Sequence, residues 1–263
     1  MSVKVTNVPN NNQNIVLKKK SNDNVQPPFR HYVERKNVSN KVKIGVFFTT
    51  LAGVAAAMAV TFKSKGIKAN NLKDFLKGLT KITYDPKKFE VEKLVGRLAV
   101  GSVGGGLIGG AIFDKKENMK AKYRESIIQL IGNIGTPLLC VSAGCHLFEA
   151  HFEQKVIKAL NLGEKAGKIP KIVVSAGLLI AAIFAGNKIG NVINEKVFKV
   201  NDNRKLKISD MSPHIDDACL ALSLVASESS QVVSRIIPAA LMVAGISTGV
   251  AKERPERLQA NKA

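Results

Sequence analysis

Tryptophan is absent from this 263-residue chain, and aromatic residues make up only 5% of it. Proteins that bind single-stranded nucleic acid stack bases on aromatic platforms beside a basic groove. With so few rings, no nucleic-acid partner is expected. Cysteine is also scarce. The three present, Cys140, Cys145 and Cys219, all lie in apolar stretches. An odd count of this kind argues against a disulfide framework and fits buried thiols that pack as small hydrophobes. There are four histidines, too few for a metal cluster. The string Cys140, Cys145, His146, His151 has the letters of a ligand set. Residues three or four apart share a helix face, however, and residues five apart do not. No metal, no cofactor and no nucleophile–base pair is legible, so enzymatic activity is not expected.

Acidic residues are outnumbered two to one, 20 against 40 Lys and Arg, giving a formal charge of +20. The basic residues sit between long apolar runs and rarely within them. Lysines that flank apolar segments are what anionic lipid headgroups favour. Residues 1–43 read as a disordered basic tail, with Lys18-Lys19-Lys20 and Pro27-Pro28. Such a stretch cannot bury enough apolar surface to offset its ordering entropy. Residues 252–263 form a polar C-terminal tail.

What the chain has in abundance is apolar length. Ile44 to Phe62 holds no charge over 19 residues. At 1.5 Å per residue that is about 28 Å, close to the hydrocarbon thickness of a bilayer. Further runs cover 94–113, 127–148, 169–189 and 231–251. The expected fold is all-α, a polytopic integral membrane protein of five transmembrane helices. A shorter apolar piece, 215–226, makes six if it crosses. Six crossings give the larger Lys/Arg bias between the two sides and put both termini in the cytoplasm. The plasma (inner) membrane is the expected location. Residues 71–81 place Leu72, Phe75, Leu76 and Leu79 on one face and lysines on another. That pattern predicts an interfacial helix. The pattern P-x5-A-G recurs from Pro137, Pro170 and Pro238, with each proline expected in the first turn of a helix.

The stretch Gly101–Gly110, GSVGGGLIGG, contains the letters G-x-G-x-x-G of a dinucleotide site. Such a site needs a preceding strand and a long following helix. Here Asp114-Lys115-Lys116 ends the run after the last glycine. The spacing fits a different use. Gly101, Gly105 and Gly109 form one row along a helix, and Ser102, Gly106 and Gly110 form a second. These make a side-chain-free strip where another backbone can approach. Whether that backbone belongs to the same chain or to a second copy in a homo-oligomer is open at this point.

The polar string Ser212-Pro213-His214-Ile215-Asp216-Asp217 resembles the H-P-D-D-E string of zinc-dependent sugar-amide deacetylases in letters only. Ile215 replaces the proline, Ala218 replaces the glutamate, and no strand-like run precedes it. It reads instead as a helix start, with Ser212 as N-cap and the acids at the positive end. Ionisable residues within membrane segments mark functional paths by default. Asp216, Asp217, Glu228 and Arg235 therefore form a candidate polar pathway. Two functions are compatible with this reading. One is a structural or assembly role in the membrane, in contact with lipid and anionic headgroups. The alternative is a small-solute or ion transporter or channel.

Overall fold

The computed structural model describes residues 38–69, 71–81, 90–161, 163, 166–200 and 230–253. The described residues are helical, with α1 (Asn40–Ser64), α2 (Leu72–Lys81), α3 (Glu90–Phe113), α4 (Met119–Ile127), α5 (Thr136–His151), α6 (Glu153–Ala159), α7 (Ile169–Val192) and α8 (Ser230–Gly249). A π-helical segment, Ile128–Gly135, joins α4 to α5. Another, Ile193–Val197, extends α7. Four of these continuous helices are long and apolar enough to cross a membrane: Asn40–Ser64, Glu90–Phe113, Lys116–His151 and Ile169–Val197. By length and composition they suggest a membrane protein. Large apolar side chains such as Phe48, Val100, Ile112, Leu139, Val173 and Phe184 face outward. Soluble monomers rarely expose that much apolar surface, whereas lipid matches it.

The helix directions follow from side-chain and backbone contacts. Gly53 faces Gly101, Gly105 faces Thr49, and Gly45 faces Phe113, so α1 and α3 are antiparallel. Ser102 meets Leu241, Gly106 meets Gly245, and Gly110 meets Gly249, so α8 runs parallel to α3. Gly132 faces Gly186 and Gly144 faces Leu178, so α4–α5 and α7 are antiparallel. Glu92 accepts a hydrogen bond from Ser142, which sets α5 against α3 in the opposite sense. Val38, Val42 and Val46 pack with Val250, which puts both described chain ends at one end of the bundle. We call this the near end. At the far end, Phe62 of α1 packs against Phe75 of α2, with ring centroids 5.1 Å apart and the rings tilted by 57°.

Helix α3 is central because it carries only glycines and Ser102 along the rows where its neighbours arrive. A Cβ on Gly101 would lie 2.5 Å from the Gly53 carbonyl oxygen. On Gly105 it would lie 3.0 Å from the Thr50 Cα, and on Gly109 2.9 Å from the Val46 Cα. On the other side, a Cβ at Gly106 would lie 2.9 Å from the Gly245 Cα. Ser102 is fully buried there, and its hydroxyl donates to the Leu241 carbonyl at 2.6 Å and accepts the Gly245 N–H at 3.2 Å. Lipid offers no hydrophobic drive between helices, so such close approach and interhelical hydrogen bonding hold them together. The main core, with Met58, Phe62, Leu94, Leu98 and Val103, fills the remaining space between α1 and α3 and reaches Val141 and Ile183.

The prolines behave less uniformly than their shared pattern predicts. Pro170 stands in the first turn of α7. Pro137 stands at the start of α5, yet that helix continues directly from the π-helical segment. Thr136 does not cap it; its hydroxyl donates to the Ile131 carbonyl at 2.8 Å. Proline cannot donate to, and its ring crowds, the carbonyl four residues back. The wider π turns immediately before Pro137 relieve that crowding. Pro238 lies inside α8, not at its start.

Gly106→Leu is expected to destabilise the protein by about 1–3 kcal/mol or more through overpacking. Gly104→Leu, where nothing lies within 4 Å of an added Cβ, should shift the melting midpoint little. Thermal unfolding in one mild detergent compares the two.

Candidate functional site

Of the residues singled out in the sequence, Gly101, Ser102, Gly105, Gly106, Gly109 and Gly110 occupy the helix contacts described above. Asp216, Asp217 and Glu228 lie outside the described residues, as does the short apolar piece 215–226. Arg235 falls within the first turns of α8.

The densest polar chemistry among the described residues lies elsewhere, at the near end, where α3 turns into α4. Lys122, Arg124 and Glu125 are 0%, 2% and 0% exposed. Charged residues are almost never buried to this degree unless paired. Lys122 Nζ reaches three acceptors: Asp114 Oδ2 at 2.8 Å, the Ala251 carbonyl at 2.9 Å and the Gly249 carbonyl at 2.5 Å. Gly249 is the last residue of α8, where the helix leaves its final acceptors without partners and a cation is favoured, and Ala251 follows it. Gly110 completes this arrangement. A Cβ there would press on Lys122 Cδ at 2.6 Å, so glycine makes room for the lysine stem.

Two further contacts tie the segment after α8 to the same corner. Arg124 Nη2 lies 3.3 Å from Glu253 Oε1, and Nη1 lies 3.4 Å from Oε2. The Glu253 backbone N–H donates to Asn118 Oδ1 at 3.3 Å, and Asn118 Nδ2 donates to Asp114 at 3.1 Å. Burial alone would raise the Asp114 carboxyl. The Lys122 hydrogen bond, the Lys115 backbone N–H, the Lys122 charge and Asn118 together outweigh it and hold Asp114 below its ordinary value.

From this corner a line of polar side chains runs inward. Gln129 Nε2 donates to Glu125 Oε1 at 2.8 Å, and Asn133 Nδ2 donates to Gln129 Oε1 at 3.1 Å. The three residues stand four apart and so share a face. Helix α7 runs alongside in the opposite sense. Outward from the Gly132–Gly186 contact, Asn187, Asn191 and Asn194 follow along α7 and its π-helical extension toward the near end. Asn187 and Asn194 are buried. Among the described residues, neither amide atom of Asn194 has a hydrogen-bond partner, nor does Asn133 Oδ1. Burying a polar group without a hydrogen bond is costly, and buried polar groups are as a rule paired.

The sequence reading missed this site. Tyr123-Arg124-Glu125-Ser126 reads as a charged linker, yet Arg124 pairs with Glu253 and Glu125 accepts from Gln129, and both are buried. The spacing of Glu125, Gln129 and Asn133, and that of Asn187, Asn191 and Asn194, was the available signal. Cys140 and Cys145 are free thiols. His146 Nε2 lies 3.8 Å from Glu92 Oε1. Compared with known proteins, the chain matches no protein family, no curated protein and no solved structure.

Removing one partner of a buried ion pair leaves an uncompensated charge. Asp114→Asn is expected to cost about 3 kcal/mol, the low end of that range, because Lys122 keeps two carbonyl acceptors. The native carboxyl titrates below the unfolded one. Its stabilisation is therefore complete above the ordinary carboxylate range and is lost as pH falls through the lowered value. Unfolding midpoints measured from pH 7 down to pH about 2.5 should show an acid-range loss that Asp114→Asn diminishes. Identical pH profiles for the two proteins would contradict the pairing.

Proposed function

We propose that this protein is a structural or assembly component of a membrane, most simply the plasma (inner) membrane. In this reading it is a helical scaffold that presents its basic N-terminal tail and its C-terminal tail on one face. The observation that carries this reading is the packing of Val38, Val42 and Val46 against Val250, reinforced by the Lys122 and Arg124 contacts to residues 249–253. Both small-residue rows of α3 are met by helices of the same chain, which supports a role for the glycine strip in packing within one copy. Helices α7 and α8 run in the same direction. Val200, after α7, and Ser230, at the start of α8, therefore stand toward opposite ends of the bundle, which supports six crossings over five. Both tails then lie on the cytoplasmic side.

A tail with Lys18-Lys19-Lys20 next to a membrane face is suited to an anionic lipid surface, at about 1 kcal/mol per basic residue. The full chain, reconstituted in neutral vesicles with the tail outward, is expected to capture phosphatidylglycerol vesicles. Replacing Lys18, Lys19 and Lys20 together with Gln should weaken capture by more than about tenfold. Capture that is absent, or unchanged in the variant, contradicts the tethering role.

The buried amides of Asn194 and Asn133 favour a second reading, a path for a small ion or solute between α4–α5 and α7. Proteoliposome flux of protons and monovalent cations tests it. On this reading Glu125→Gln lowers the flux at least about tenfold, as expected for an ionisable group lining a path. No flux in the unaltered protein sets the reading aside.

A further inference from the structure

The lipid-facing side of the α1–α3 pair is concave. Small residues that do not touch the neighbouring helix leave an open groove of about 760 Å³. Its walls include Ala52, Ala56 and Val60 on α1, and Gly96, Gly104 and Ile108 on α3. The lining is almost wholly apolar. The Thr49 hydroxyl at its inner end is already satisfied by the Gly45 and Val46 carbonyls. From Gly96 to Ile108 the groove follows about 18 Å of helix, at 1.5 Å per residue. Half of a roughly 30 Å hydrocarbon core is about 15 Å, the reach of one acyl chain in one leaflet.

One charge lines this groove, and it stands at the far end. Arg97 donates from Nη1 to Ser64 Oγ at 3.0 Å. A guanidinium has five N–H donors in a fork that matches phosphate, so one bond to a hydroxyl leaves donors to spare. Lys93 lies one turn further out on the same helix face and is exposed, as is Lys63 beside Ser64. The nearby Lys65–Glu90 pair is already matched. An apolar trough one leaflet deep, with cations at the headgroup level, has the charge and shape of an anionic phospholipid. A packing helix of a second copy would need no counter-charge there.

We propose that the α1–α3 groove is a binding site for an anionic phospholipid, with an acyl chain along Gly96, Gly104 and Ala56 and the phosphate on Arg97. The inference depends on the chain being embedded in a bilayer and not on the role of the tails. Gly96 and Gly104 make it directly testable, because nothing lies within 4 Å of a Cβ added at either position. A leucine there fills the trough without entering a helix contact.

The test uses the full chain in nanodiscs of phosphatidylcholine with a minor fraction of phosphatidylglycerol, followed by native mass spectrometry of retained lipid. Phosphatidylglycerol should be retained over phosphatidylcholine. Arg97→Gln should reduce that preference about fivefold, the effect of one interfacial cation. Gly104→Leu should reduce retention of both lipids while melting and helix content stay unchanged. Equal retention of both lipids by the unaltered chain, or a preference that survives Arg97→Gln, overturns the proposal. A dimer that Gly104→Leu converts to monomer also overturns it, by assigning the groove to a second copy.

Discussion

The structure depends on backbone meeting backbone along α3. In lipid, helices gain little from burying apolar side chains against one another, since the solvent is equally apolar. What distinguishes one packing from another is how closely the helices approach and whether polar groups find partners. Helix α3 is approached from two directions. Helix α1 comes antiparallel onto Gly101, Gly105 and Gly109. Helix α8 comes parallel onto Ser102, Gly106 and Gly110. These two contacts fix the remaining geometry. They bring the end of α8 to the corner where α3 turns into α4, and they deliver the Gly249 and Ala251 carbonyls to Lys122.

The near end shows how a membrane bundle can carry charge at its edge. Lys122 and Arg124 are tied to the end of α8 and the residues after it, and Glu125 to Gln129 along its own helix. The ammonium rests on the helix-end carbonyls and on Asp114, so the last turn of α8 is capped by a residue 127 positions away in sequence. Glu125, Gln129 and Asn133 continue this polarity inward. Each amide donates toward the carboxylate, which leaves the Asn133 oxygen at the inner end of the line. The π-helical turns from Ile128 to Gly135 share this stretch. They let the chain pass Pro137 and still hold Gly132 against Gly186. Local irregularity and polar burial thus coincide between α4–α5 and α7.

Much of the architecture is legible in the sequence. The apolar runs at 44–62, 94–113, 127–148 and 169–189 each fall within one of the four long helices. Length and apolarity set those elements, and both are local properties. The short reach of that reasoning is equally visible. Pro238 sits inside α8 because an apolar helix in a bundle tolerates a missing N–H that a free helix start would not need. The Lys122–Glu125 stretch looks like a surface linker because Lys122 and Arg124 find partners among residues 249–253. Those contacts follow from the parallel pairing of α3 and α8, which no local pattern encodes. Six small residues on α3 announce that something approaches closely. They do not say that the two rows serve two different helices, or that the third face, through Gly96 and Gly104, opens to lipid.

The distance between the two chain ends in a bilayer tests this account most directly. Spin labels at Lys41, near the start of α1, and at Lys252, just after α8, can be compared by double electron–electron resonance in nanodiscs. The account predicts a short separation with a narrow distribution, because Val42 and Val250 share one cluster. A separation near the bundle length, about 30 Å for a 20-residue helix, would place α8 antiparallel to α3 and contradict it.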